Sequence, residues 1–345
     1  MQCEMTKQQN NKPFKILALD GGGIKGLYTA ALLSRLEEKA GKKAGECFDL
    51  IAGTSTGGLI ALGLAAEKRS EDLVDLYEKF GKSIFPTSNY KLVRWFQSKI
   101  YHFSKQTFLF GKYSAHNLKK ALVDEFGDKE LGELSNLVVI PSFNLVNGMP
   151  RVFKYPHKEG DFFRDKHIPL VDAALATSAA PTYLPIHKYD NVLYVDGGVW
   201  ANNPSLCAVS EAIQYFVGEG KEYSHIEILS IPCVTTPSGW VSKSRIRRSF
   251  IGWTDKLFQT SMDGQSYFAD YFLKNTIKLI AANSIYERIK APSLSPAQMK
   301  VIQMDRADKK AIETLKALGD QDGFELANNN VIMRFFKTNK TYITN

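Results

Sequence analysis

A serine with glycines on both sides constrains this chain more than any other feature. Gly53-Thr54-Ser55-Thr56-Gly57-Gly58 follows the apolar run Phe48-Asp49-Leu50-Ile51-Ala52 and leads into Leu59-Ile60-Ala61-Leu62-Gly63-Leu64-Ala65-Ala66. Strand, tight turn and helix in that order are the layout of a nucleophile elbow. So sharp a turn strains the serine backbone, and a side chain two residues to either side would collide with neighbouring backbone. The turn lifts the hydroxyl out at the C-terminal end of the strand and aims the N-terminus of the next helix at it. Unpaired N–H groups and a partial positive charge then lie where an oxyanion would form. A glycine-rich turn with an incidental serine is the bland alternative, because G-x-S-x-G is a short motif.

A second loop repeats the arrangement. Phe14-Lys15-Ile16-Leu17-Ala18-Leu19 reads as a buried parallel strand, ends in Asp20-Gly21-Gly22-Gly23-Ile24-Lys25-Gly26, and is followed by helical spacing from Leu27. Gly21, Gly23 and Gly26 match G-x-G-x-x-G, which first suggests a dinucleotide-binding loop. That reading needs an acid at the end of the second strand, and the second strand ends in the Ser55 elbow instead. Asp49 lies at its start, and Glu37 and Glu38 fall in the helix. Two glycine turns at the ends of successive strands open on the same edge of a parallel sheet, where ligands bind. Backbone N–H groups of Gly22, Gly23 and Thr56 become the candidate oxyanion donors.

No histidine fits as the partner of Ser55. His102, His116, His157, His167, His187 and His225 all lie outside glycine-rich strand-end turns. Only one strand–helix unit precedes Ser55, whereas an α/β-hydrolase places several strands before its nucleophile. The acidic candidate is Asp196, in Val192-Leu193-Tyr194-Val195-Asp196-Gly197-Gly198. By itself this aspartate reads equally as a turn residue capping its own backbone. Asp20 is a rival carboxylate, read here as the residue that fixes the glycine loop, since a base there would crowd the donors.

Together, Asp20-Gly21-Gly22-Gly23-Ile24-Lys25-Gly26, Gly53-Thr54-Ser55-Thr56-Gly57 and Asp196-Gly197-Gly198 resemble the patatin-like phospholipase family. The resemblance extends to Thr177-Ser178-Ala179-Ala180-Pro181 and Asn202-Asn203-Pro204, and more weakly to Tyr286-Glu287-Arg288-Ile289 and the stretch around Leu315–Gly319. It implies a lipid acyl hydrolase with a Ser–Asp dyad and neither metal nor cofactor. Ser55 would be the nucleophile, Asp196 its base, and Gly21, Gly22, Gly23 and Gly26 with Thr56 the oxyanion hole. Two departures stand out. Pro232-Cys233-Val234 replaces the Gly-Thr-Gly that is common in the family, and Lys25 sits where arginine is frequent, keeping the charge but losing the planar fork. Bacterial patatin-like proteins of this compact form resemble antiphage effectors switched on by cyclic nucleotides. The resemblance therefore implies such an activator, although the sequence has no phosphate-binding signature of its own. The contrasting class is a non-catalytic lipid- or nucleotide-binding sensor on the same fold.

The net charge of +8 is unevenly placed. From Ser83 to Tyr113 five cations, Arg94 and Lys99 among them, interleave with nine aromatics including Trp95, and there is no acid. A second cluster from Trp240 to Trp253 holds Lys243, Arg245, Arg247 and Arg248. Such mixtures suit an anionic lipid surface, a phosphate-bearing activator, or a half-buried insertion whose cations are merely solvated. Nucleic acid ranks below lipid because the catalytic motifs imply an ester substrate. Met1 to Pro13 lack an apolar h-region and no run of 18 apolar residues occurs, so the expectation is a cytoplasmic protein acting at the membrane surface. Cys3, Cys47, Cys207 and Cys233 show no metal-type pairing. A homodimer is admitted as a further partner.

Strands near 14–20, 48–53, 136–145, 151–155, 192–196 and 225–231 alternate with helical stretches near 26–40, 56–67, 70–81, 115–126, 170–177 and 203–217, with further helices at 254–283 and 306–318, and predict an α/β fold. Its mainly parallel sheet would be sandwiched by helices in a patatin-like three-layer architecture. Residues 1–13 read as a loose terminus, 14–320 as the catalytic domain with insertions near 83–113 and 238–253, and 321–345 as a C-terminal extension. A hairpin is expected across Asn147-Gly148.

Overall fold

The computed structural model describes residues 12–84, 113–158, 160, 163–234, 253 and 255–344. The two basic-aromatic stretches, with Arg94, Trp95, Lys99, Arg245, Arg247 and Arg248, lie almost entirely outside the described residues. Eight strands form one sheet: β1 (Pro13–Leu19), β2 (Leu50–Gly53), β3 (Leu137–Asn144), β4 (Met149–Lys154), β5 (His187–Tyr189), β6 (Val192–Asp196), β7 (His225–Ile231) and β8 (Ile285–Arg288). Their order is β5-β6-β3-β2-β1-β7-β8, with β4 also paired to β3. The run from β3 to β8 is parallel, and β4, β5 and β6 add an antiparallel flank.

Helices cover the sheet: α1 (Gly26–Ala40), α2 (Ala44–Cys47), α3 (Thr56–Ala65), α4 (Ser70–Ile84), α5 (His116–Phe126) and α6 (Leu170–Ser178). They are followed by α7 (Ser205–Tyr215), α8 (Asp255–Ile280), α9 (Pro296–Val301), α10 (Lys309–Leu326) and α11 (Asn330–Lys337). Strands covered on both faces have no polar face to alternate with, which is why β1 and β2 read as continuous apolar runs. From Phe14 onward every residue of β1 is buried, Lys15 included. The register pairs Leu19 with Gly53, so the turn after β1 and the elbow after β2 emerge side by side.

All six expected strands form, and the Asn147-Gly148 hairpin joins β3 to β4 with Asn144 opposite Met149. The sequence reading missed the short, half-buried β5 and β8, which carry no sustained apolar run. It also missed α2, α9 and α11, none longer than 8 residues. The last helical segment expected near 306–318 is α10, which begins at Lys309 and runs to Leu326.

Residues beyond 320 pack into the same core. Phe335 and Phe336 are buried against Phe48, with ring centroids 6.3 and 5.5 Å away. The buried Lys15 ammonium donates to the carbonyls of Phe335 (3.2 Å) and Thr338 (2.6 Å) at the end of α11, where the helix dipole favours a cation. Asp49 accepts from the amides of Lys15 (2.8 Å), Thr341 (2.6 Å) and Tyr342 (2.7 Å). The starts of β1 and β2 are thus tied to residues 335–342.

The closest helix pair is α1 on α10. A Cβ at Gly319 would sit 2.5 Å from the Tyr28 carbonyl and 2.8 Å from Ala31 Cβ. Only hydrogen permits that approach, so Gly319→Val must push the helices apart. The expected loss is about 1–3 kcal/mol, typical of overpacking, read as a lowered denaturant midpoint. Gly264→Ala in α8, where an added Cβ meets nothing within 4 Å, is the control and should be neutral or stabilising.

Candidate active site

Ser55 joins β2 to α3 with φ 54° and ψ −125°, a conformation that is costly for any residue with a Cβ. The surrounding structure imposes it. A Cβ at Gly53 would lie 2.1 Å from the Gly57 carbonyl oxygen, and one at Gly57 would lie 2.4 Å from the Leu19 oxygen at the end of β1. The Ser55 amide donates to Thr177 Oγ1 (3.0 Å), and the Thr177 hydroxyl in turn donates to the Pro141 carbonyl (2.5 Å). Thr54 Oγ1 donates to the Ala201 carbonyl at 2.6 Å. The elbow is therefore held by β3, by α6 and by the loop after β6.

Asp196 ends β6 opposite Ser142 of β3, and its amide donates to the Ala179 carbonyl at 3.0 Å. The side chain is almost fully buried. Its two oxygens have different roles. Oδ1 accepts from the Gly198 amide at 2.7 Å, the turn-capping bond that the sequence allowed as the bland reading. Oδ2 has no partner at hydrogen-bond geometry among the described residues. Burial pushes the Asp196 carboxyl up to about 7, against the opposing pull of the Ser55 hydroxyl and the Gly198 amide. Ser55 is near enough to influence the carboxylate without being locked to it.

The glycine loop lies alongside, and its amides are mostly committed. Gly21 donates to the Asn202 carbonyl (3.2 Å) and Gly22 to Thr56 Oγ1 (3.2 Å). The Gly26 amide turns back onto the Gly23 and Ile24 carbonyls. Among the described residues Gly23 and Thr56 keep amides with no protein acceptor, and both border the same pocket as Ser55. Of the five expected contributors, these two are the ones whose amides remain available, while those of Gly21, Gly22 and Gly26 are bonded.

The pocket is apolar, walled by Ile24, Leu59, Tyr77, Leu118, Tyr183 and Leu184. Its free volume is about 40 Å³, room for no more than a few waters. Met304 also lines a larger cavity of about 320 Å³, whose walls include Asp20, Lys25, Asn202, Cys233, Ser266 and Arg288. The Pro232-Cys233 departure fits this site. Cys233 Sγ occupies the space beside Gly22, 2.0 Å from where a Cβ there would stand.

Three of the five described histidines pair with carboxylates other than Asp196: His157 with Glu211 (2.7 Å), His167 with Glu130 (2.7 Å) and His187 with Asp172 (2.9 Å), while His225 meets Ser224 Oγ at 2.8 Å. Both Asp20 oxygens are bound by Arg288, at 3.1 and 2.5 Å, leaving that carboxylate no free edge to act as a base. Sequence reasoning missed Thr177, Ala201 and Gln265 as supports. Gln265 of α8 donates to the Val199 carbonyl (2.7 Å) and accepts from the Asn202 amide (3.4 Å).

The patatin-like phospholipase family model matches residues 17–208, a span that contains the elbow, the glycine loop and Asp196. The chain belongs to that family. It is 33% identical over 307 residues to a cGAMP-activated phospholipase of Pseudomonas aeruginosa, covering 89% of this chain and 87% of that protein. A cGAMP-activated phospholipase of Escherichia coli is 30% identical over 346 residues, covering 93% and 92%. One from Vibrio cholerae is 38% identical over 229 residues, 63% of each chain. Among the described residues of this patatin-like protein, no helix is long and apolar enough to cross a membrane.

Burial of Asp196 also predicts a stability signature. Unfolded, this carboxyl titrates near its ordinary 3.8; folded, at about 7. Between those values the folded protein holds a proton that the unfolded chain has lost, so stability falls as pH rises across the window. Asp196→Asn removes that loss and can keep the bond to Gly198. The variant should melt higher than wild type above pH 7, with the gap closing toward pH 4. A lower melting temperature at pH 8 would contradict the assignment.

Proposed function

We propose that this protein is a serine acyl hydrolase of the phospholipase A type, cleaving fatty-acyl esters of membrane phospholipids and switched on by a cyclic nucleotide. The observation that carries the reading is a strained serine that borders an apolar pocket and lies beside a buried carboxylate. Ser55 Oγ attacks the acyl carbonyl while Asp196 takes its proton. A carboxylate at its ordinary pKa is a poor base for a hydroxyl, and one raised to about 7 is matched to neutral pH. The Thr56 amide, at the N-terminus of α3, and the Gly23 amide, in the turn after β1, would supply the donors to the developing oxyanion. Each such donor is typically worth about 3–4 kcal/mol of transition-state stabilisation. Collapse of the tetrahedral intermediate breaks the ester C–O bond, and Asp196 returns the proton to the departing lysophospholipid alkoxide. Asp196 then deprotonates a water, which releases the fatty acid from Ser55.

The switch is supported by the relatives named for activation by cGAMP and by the narrowness of the acyl pocket. A volume of about 40 Å³ is too small for an acyl chain, so the pocket must widen before one enters, which suits an enzyme at rest. Membrane-surface action and a nucleotide contact by the basic-aromatic stretches belong to the same proposal. The intact pair of Ser55 and Asp196 favours catalysis over a sensor that has lost it.

Phospholipid vesicles incubated with the protein, with and without cGAMP, test the reading. Free fatty acid should appear, faster with the nucleotide, and Ser55→Ala should abolish it. Asp196→Asn should cost about 10²–10⁴-fold in kcat with the fold intact, the usual loss of general-base catalysis. In wild type, kcat should rise with pH through about 7, since only the ionised carboxylate can accept the proton. A Ser55→Ala protein as fast as wild type would end this mechanism, and a basal rate that cGAMP leaves unchanged would end the switch.

A further inference from the structure

The turn after β1 begins with a carboxylate that the chemistry above does not use. Asp20 is buried, and its two oxygens meet the two arms of one guanidinium: Arg288 Nη1 to Oδ1 at 3.1 Å and Nη2 to Oδ2 at 2.5 Å. Nη1 also donates to Ser230 Oγ at 2.6 Å, and Nε lies 4.0 Å from Asp270 Oδ1 of α8. Arg288 is the last residue of β8 and stands in register beside Ser230 of β7. It therefore reaches across one strand to the end of the next. Burial opposes the Arg288 charge, and Asp20 beside it more than offsets that, keeping the guanidinium charged.

A buried ion pair is weak evidence for stability, because desolvation of both charges cancels much of their attraction. Here it is placed where it holds a loop in position. Immediately after Asp20 come Gly21 and Gly22, whose amides are bound to Asn202 and Thr56, and then Gly23, whose amide is uncommitted among the described residues. Three glycines in a row have little stiffness of their own, and an oxyanion donor is useful only if it is fixed before charge develops.

We propose that Arg288 is a positioning residue for catalysis: its bidentate grip on Asp20 clamps the start of the glycine loop and so fixes the Gly23 amide toward the oxyanion. The inference rests on the Ser55 mechanism above. It separates the loop's geometry from the nucleophile and base, both of which lie on other strands. Arg288 touches neither Ser55 nor Asp196. Losing it should weaken stabilisation of the oxyanion while leaving ground-state binding in the apolar pocket unchanged.

The test compares wild type, Arg288→Gln and Arg288→Lys, with cGAMP present, on phospholipid vesicles and on an acyl trifluoromethyl ketone. The ketone adds the serine hydroxyl to form a hemiketal whose oxyanion probes the same donors. For Arg288→Gln, kcat should fall about 10²-fold with KM nearly unchanged, and ketone affinity should fall by a similar factor. Affinity for free fatty acid should stay constant. Arg288→Lys, which keeps the charge but loses the fork, should give a smaller parallel loss of roughly tenfold. The proposal is overturned if kcat survives in Arg288→Gln, or if kcat drops while ketone affinity holds. Should Arg288→Gln fail to fold, Arg288→Lys decides, and wild-type kcat in that variant would refute the clamp. If wild type itself neither hydrolyses lipid nor binds the ketone, the Ser55 mechanism fails instead.

Discussion

The strained backbone at Ser55 is the constraint on which the rest of this structure depends. A serine at φ 54° is not held by its own turn, because relaxation would relieve the strain at once. It persists because β1, β3, α6 and the loop after β6 each fill the space into which the turn would open. Gly57 lies against the Leu19 carbonyl, Thr177 holds the Ser55 amide, and the Ala201 carbonyl holds Thr54. Four segments distant in sequence therefore meet around one residue, and the order of the strands is consistent with that meeting. β1 and β2 must be neighbours so that their turns adjoin, and β6 must reach β3 so that Asp196 arrives from the far side.

Asp196 shows how one side chain can serve structure and chemistry together. The bond from Gly198 to Oδ1 fixes the orientation of the carboxylate, and the cost of burying Oδ2 without a strong partner is stored as basicity. The same burial that weakens the fold at neutral pH raises the carboxyl to about 7, the range that the proposed proton transfer from the serine hydroxyl calls for. Stability and activity pull against each other in a single group, a familiar trade at active sites.

Much of this was legible in the sequence. Ser55, Asp196 and the glycine loop each follow an apolar run, and a strand that ends in glycines is a local signal that needs no tertiary context. The parallel order of β1 and β2 followed from the same pattern. Less legible was which amides remain available. Gly21, Gly22, Gly23 and Gly26 look alike as letters, yet only the fold shows that three are already bonded, because their partners come from Asn202, from Thr56 and from the loop itself. Supports such as the Ala179 and Ala201 carbonyls were invisible for a related reason: every residue carries a carbonyl. β8 was missed because its four half-buried residues, Ile285–Arg288, have no periodicity to read, although Arg288 is tied directly to the glycine loop. The C-terminal residues read as an extension because polar residues dominate them, while Ile332, Phe335 and Phe336 carry the buried face of α11.

The tie between the ends of the described chain bears on when the protein matures. Lys15 in β1 finds its carbonyl partners 320 residues later, at Phe335, and Asp49 is satisfied by amides 292 and 293 residues further on. Until residues 335–342 have left the ribosome, a buried ammonium and a buried carboxylate at the base of the two central strands lack those partners. The strands that end in Asp20 and Gly53 cannot settle fully before then, and neither can the turns they support. Synthesis itself thus imposes an order: the bases of the two central strands gain these partners only once residues 335–342 have been made.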